Sequence, residues 1–180
     1  DSVFFAKAYG QLTYDEDAPP ATLDTLYDLA SVSKAVGTTS ATMLLFQDGK
    51  LHLEDPVYTY VPAFDQEDKR GITIRHLLTH SSGLPSYTQA AKAEADRREG
   101  ESNSDALIRL IASLPLKYKT GEGHLYACLN FITLVRVNEK VAGMPQEQFL
   151  RERLFGPLGM TNTGYMLTDE QKTQAAPTVG

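Results

Sequence analysis

The chain has 180 residues, enough for one domain or a domain and a fraction, and a chain of this size buries roughly 70% of its extended surface on folding. Apolar residues make up 42%, charged residues 22%, and the net charge is −6, which excludes a disordered or fibrous chain and leaves no concentrated basic footprint for a nucleic acid. No apolar run approaches the ~20 residues that span a bilayer, the start DSVFFAKAYG lacks the pattern of a secretion signal, and the single Cys128 excludes an intrachain disulfide.

Residues 3–14, VFFAKAYGQLTY, are rich in Val, Phe and Tyr and predict a strand interrupted by a bulge or turn at Gly10. A Pro-Pro loop follows. Between Ser31 and Gln47, Val32, Val36, Met43 and Leu44 fall near a helical spacing and Asp48-Gly49 supplies a stop, so a mostly buried helix is expected. LHLEDPVYTYVP is interrupted by Pro56 and Pro62 and reads as loop or short extended structure. Thr73 is placed to cap a short helix, ITIRHLLTH, that SSGLP terminates. Residues 86–101 are charged and Ala-rich, a solvated helix or excursion. Ser102, Asn103 or Ser104 caps DALIRLIASL, which Pro115 closes. The longest helix is expected from about Ala127 to Ala142, with Gly143 at its C′ position. QEQFLRERLF is a final helix before Gly156-Pro157.

A serine hydroxyl is a poor nucleophile at neutral pH unless a nearby base accepts its proton. Ser31 and Lys34 are three apart, hence neighbours on one helical face. At a helix start the unpaired N–H groups favour developing negative charge, which makes the Ser31 N–H a candidate oxyanion donor. Burial of Lys34 among Leu29, Val36 and neighbouring helices would disfavour its charged form and improve it as a base. A four-residue match of this kind is weak alone, since Ser31 serves equally as a helix cap.

The context is more specific. LYDLASVSKAVGTTSATMLLFQDGKLHLEDPV closely resembles the nucleophile segment of class C beta-lactamases, D-alanyl-D-alanine carboxypeptidases and related esterases. ITIRHLLTHSSGLPSY, GEGHLYACLNFITLVRVNEKVAG and FGPLGMTNTGY resemble, in the same order, the structural helix and turn, the tyrosine motif and the closing segment of that family. The resemblance covers about residues 9–166. It implies an α+β, beta-lactamase/transpeptidase-like fold, of which this chain is the mainly helical part with one or two N-terminal strands and without the C-terminal strands. The organisation expected is one partial domain over 1–180, with strands and lead-in in 1–30 and the helical region in 31–180.

By the same resemblance Ser31 is the acylated nucleophile, Lys34 its first base and Tyr126 the second acid and base. The implied reaction is acyl transfer on a beta-lactam, a D-alanyl peptide or a small ester. The implied partner is thus a small-molecule or peptidoglycan-type substrate, with no cofactor, no metal and no nucleic acid, and a periplasmic or extracellular location. Cys128 stands where the family carries Asn and is expected to line the substrate site with only a weak donor and acceptor. The family's third motif, Lys or His, any residue, then Gly, does not follow the helical region here. Lys119-Thr120-Gly121 spells it, but in a turn before Tyr126. The alternative to an enzyme is a binding or partner-docking module that kept the fold, or an appendage of a larger enzyme.

Other candidates are weaker. His76 and His80 have the i,i+4 spacing of zinc ligands but no evident third ligand. His80 is expected to fix the SSGLP turn. Cys128 with His124 would form a thiol dyad, although an apolar helical run suits packing better. Tyr126 read without its context is a core aromatic.

Overall fold

The computed structural model describes residues 2–178, and it gathers short helices around one core. The first helical stretch comes in three pieces: a 3-10 turn Ala30–Val32, a π-helical turn Lys34–Thr39, and α1, Ser40–Gln47. The widened middle follows from its residues. Gly37, Thr38 and Thr39 are poor helix formers, and hydroxyls supply donors within the turn: Ser40 Oγ to the Ala35 carbonyl at 3.1 Å and Thr42 Oγ1 to the Thr38 carbonyl at 3.0 Å. This stretch is buried on one side only. Gly37, Thr38, Ala41, Thr42 and Leu45 face inward, whereas Val32 and Met43 are 55% and 64% exposed.

Val57–Thr59 and Pro62–Phe64 are single 3-10 turns within the segment read as loop, and they bury Val57 and Phe64. Helix α2, Ile74–Leu78, starts at Thr73 with a reciprocal cap. The His76 N–H donates to Thr73 Oγ1 at 3.4 Å and the Thr73 N–H donates to His76 Nδ1 at 3.1 Å. Helix α3, Ala90–Ala95, lies in the charged stretch. Helix α4, Asn103–Ser113, takes Ser102 as its cap, with the Asp105 N–H on Ser102 Oγ at 3.0 Å. Helix α5, Cys128–Ala142, ends as its sequence predicts, with Gly143 at φ +72°. Helix α6, Gln146–Leu150, runs into a π-helical turn Arg151–Phe155. Helix α7, Asp169–Gln174, has no buried residue and hence no apolar period to announce it; its signature is a Thr168 and Gln171 capping box.

Helix α5 is the hub, packed by α1, α2, α4 and α6, while α3 packs on α4. Leu45, Phe64, Leu77, Ile111, Leu134 and Leu150 are completely buried in one cluster. Each contributes about 1.5–3 kcal/mol of transfer free energy.

The strand expected over residues 3–14 does not form. Among the described residues β-pairing is limited to isolated bridges, Gln11 with Pro20, Leu26 with Ala175 and Pro56 with Thr73. Val3, Phe4 and Phe5 are 84%, 99% and 66% exposed. Strand preference is a preference for packing on a pleated surface, and no ladder bond reaches residues 3–9 among the described residues. The mainly helical character follows the sequence, as do the positions of α1, α2, α4, α5 and α6; α7 and the 3-10 turns Val57–Thr59 and Pro62–Phe64 were not expected.

Candidate active site

Ala30 adopts φ +43°, a conformation L-residues rarely take, and Asp28 Oδ1 accepts its N–H at 2.7 Å. This sharp entry leaves Ser31 exposed at the head of the helix. One turn on, Lys34 Nζ donates to Ser31 Oγ at 3.3 Å. The same ammonium lies 5.1 Å from the centroid of the Tyr126 ring. The neighbouring Lys34, and after it Ser31, hold the phenol pKa below the ordinary tyrosine value against partial desolvation. Residues 31, 34 and 126, named together from sequence, therefore meet in space.

The electrostatics of Lys34 differ from the sequence expectation. Burial is the largest single influence and acts downward. The hydrogen bond to Tyr126, the charge interactions with Cys128 and Tyr126 and the hydrogen bond to Cys128 together outweigh it, so the ammonium is held above its ordinary pKa. Leu29, expected to help desolvate it, is 41% exposed. These surroundings favour the charged form of Lys34. Cys128 is the first residue of α5 and half-buried.

Tyr126 is delivered by a clamp between the turn 80–86 and the segment before α5. The Leu125 N–H and Tyr118 hydroxyl both donate to the His80 carbonyl at 3.0 Å, and the Cys128 N–H donates to the Ser86 carbonyl at 2.7 Å. His80 Nδ1 accepts the Ala127 N–H at 3.1 Å and lies 3.2 Å from Asn130 Nδ2, while its ring centroid is 4.6 Å from that of Tyr126. With two donors on Nδ1, the proton of the neutral ring belongs on Nε2. Burial, then the neighbouring His124 and Lys34, lower the pKa of His80. Gly83, at φ +86°, is required here, because a Cβ would sit 2.3 Å from the Tyr118 carbonyl oxygen.

Asn130 is completely buried and accepts from Ser82 Oγ at 2.5 Å, a node that sequence reasoning assigned no role. Its signal was available: Asn130, Thr133 and Asn138 are polar residues on the buried face of α5. His76 is engaged in its cap and His80 in the clamp, so neither zinc-spaced histidine has a free Nδ1. Among the described residues no group of three or more His, Cys, Asp or Glu could hold a metal. Lys119 pairs with Glu122 at 2.9 Å and Thr120 Oγ1 donates to the Ser82 carbonyl at 2.9 Å, which makes that triplet a structural turn.

The helical arrangement and the meeting of serine, lysine and tyrosine define a beta-lactamase/transpeptidase-like domain. Residues 2–180 match the family model described as Beta-lactamase, and the chain belongs to that family. It is 34% identical over 164 residues to an Escherichia coli (strain K12) protein named "Putative D-alanyl-D-alanine carboxypeptidase", covering 88% of this chain and 38% of that protein. A protein of the same name from Escherichia coli O157:H7 is 33% identical over 175 residues, covering 91% and 40%. Among solved structures, the octameric penicillin-binding protein homologue from Pyrococcus abyssi superposes with a TM-score of 0.76 at 30% identity, covering 97% of this chain and 41% of that one. EstCE1, a hydrolase with promiscuous acyltransferase activity, gives 0.76 at 31% identity, covering 96% and 47%. The chain spans 38% to 40% of the length of these curated relatives.

Proposed function

We propose that the protein containing this chain is a serine hydrolase that forms an acyl-enzyme at Ser31. The observation that carries the reading is the convergence of the three residues: Lys34 Nζ donates to Ser31 Oγ at 3.3 Å and lies 5.1 Å from the centroid of the Tyr126 ring. In the proposed sequence Ser31 Oγ attacks the carbonyl carbon and its proton passes to the Tyr126 oxygen. The tetrahedral oxyanion is met by the Ser31 N–H at the helix start. Tyr126 then protonates the leaving amine or alkoxide as the carbonyl re-forms. Water repeats the cycle on the ester. Lys34 stays charged throughout and stabilises the deprotonated phenol, so the base role read for Lys34 passes to Tyr126.

The substrate class is an amide or ester: a D-alanyl peptide, a small ester or a beta-lactam. The names of the curated relatives support the first, and the description of the family model supports the third. Cys128, in place of an amide side chain, supports esters over beta-lactams, because a thiol is a weak partner for a substrate carbonyl. It also supports the second reading, a module that binds or is acylated once without turnover. No helix among the described residues is long and apolar enough to cross a membrane, and we place the protein in the periplasm or outside the cell by its family.

Intact-mass labelling of the full-length protein with a fluorophosphonate tests the nucleophile. One adduct is expected on the wild type and none on Ser31→Ala; equal labelling of both refutes it. Multiple turnovers of a chromogenic ester separate an enzyme from a binding module.

A further inference from the structure

A second polar cluster lies behind the catalytic turn, fully bonded and out of water. Thr38, Thr42, Asn138 and Gln146 are each at most 5% exposed. Asn138 Nδ2 donates to the Thr38 carbonyl at 3.1 Å and to Gln146 Oε1 at 2.9 Å, and Thr42 Oγ1 lies 3.0 Å from Asn138 Oδ1. Gln146 Nε2 lies 3.4 Å from Thr38 Oγ1 and donates to the Tyr165 hydroxyl at 3.2 Å. The cluster thereby ties the π-helical turn that carries Lys34 to α5, whose first turn follows Tyr126.

Gly37 stands at the end of this cluster. Its backbone does not need glycine for a positive φ, and glycine inside a helix is destabilising relative to alanine. Space supplies the reason. A Cβ at residue 37 would lie 2.1 Å from the Tyr165 hydroxyl oxygen and 3.2 Å from Cζ of the same ring. Residues 34 and 37 belong to the same π-helical turn, so a displacement of that turn moves the backbone that carries the ammonium.

We infer that the Tyr165 hydroxyl, seated in the slot left by Gly37 and joined through Gln146 to Asn138, is a positioning device that sets Lys34 against Ser31 and Tyr126. Buried amides suit this task because their bonds have one satisfactory register, and a slip leaves polar groups unpaired. The inference rests on the proposed acylation only for its catalytic meaning; the placing of Lys34 is measurable without it.

The test uses the full-length protein, the variants Gly37→Ala, Tyr165→Phe and their combination, and two readouts. One is the titration of Tyr126 followed by NMR of tyrosine labelled at Cζ, assigned with Tyr126→Phe. The other is the pH profile of fluorophosphonate labelling. In Gly37→Ala the added methyl pushes the turn away, Tyr126 loses its cation and titrates at higher pH, and labelling slows about tenfold or more. The rising limb of the profile moves to higher pH with it. Tyr165→Phe alone leaves the slot empty, moves the Tyr126 titration upward and slows labelling about three- to tenfold, as expected for one lost hydrogen bond; wild-type behaviour in both readouts overturns the inference. In the double variant the missing hydroxyl reopens the slot, and both readouts return toward wild type. An unmoved Tyr126 titration in Gly37→Ala overturns the inference. So does a double variant no better than the single one, including the case in which both fail to fold. Absence of any Ser31 labelling in the wild type refutes the acylation reading alone, and the NMR titration still decides the positioning.

Discussion

At the scale of single residues, the proposed division of labour between Lys34 and Tyr126 is open to direct test. The direction of both shifts favours a charged Lys34 beside a more acidic Tyr126 phenol, and the proposed mechanism accordingly assigns the proton transfer to Tyr126. Tyr126→Phe is therefore expected to slow labelling of Ser31 by about a hundredfold or more. The melting temperature should hardly change, because the side chain is 47% exposed. A Phe variant labelled at the wild-type rate would return the base role to Lys34. Cys128→Asn places an amide beside Lys34. It is expected to raise acylation by a chromogenic cephalosporin about tenfold relative to a chromogenic ester, the worth of one good hydrogen bond. An unchanged ratio would mean that residue 128 does not touch the acyl group.

At the scale of elements, the turn 80–86 and the start of α5 act as one unit through His80. Its pKa in the folded chain is lowered, so the neutral ring contributes stability that is complete above the free imidazole range near 6.5. That contribution is lost as pH falls through the lower folded value. Protonated Nδ1 would face the Ala127 N–H and the Asn130 amide, both donors, with His124 and Lys34 close by. The hydrogen-exchange protection of the Ala127 amide should accordingly fall below pH 6.5, and constant protection down to pH 4 would contradict the clamp. A second acid-sensitive unit joins α3 to α4. Arg109, then the Arg98 N–H, hold Glu101 down to about 2, so its contribution is complete above the ordinary carboxylate value near 4.5, declines as pH falls below it and is gone below about 2. An NMR titration of Glu101 with a midpoint near 4.5 would show the pair to be absent. These contacts were only partly legible. The caps at Thr73 and Ser102 and the stop at Gly143 are local chemistry and could be read from neighbours in sequence. The His80 clamp joins residues 47 and 50 apart, and no periodicity reports such a pairing.

At the scale of the whole molecule, helix order was legible because apolar spacing and terminators repeat along the chain, and the meeting of Ser31, Lys34 and Tyr126 because their surrounding segments are distinctive. The strand over 3–14 was misread because β preference needs a partner surface. Its side chains stand in water instead, together with Tyr14 and Met166, at 96% and 77% exposed. The isolated 180-residue chain is therefore expected to self-associate with rising concentration, and replacing Phe4 and Phe5 by Glu should reduce this. Sedimentation showing a monomer at all concentrations would contradict it. The polar cluster behind the nucleophile has one more consequence, for synthesis. Thr38 meets Gln146 across 108 residues, an interval that a ribosome takes roughly 5 to 20 seconds to translate. Until then the turn that carries Lys34 lacks its backing, and the proposed acylation of Ser31 is expected to wait for the arrival of Gln146.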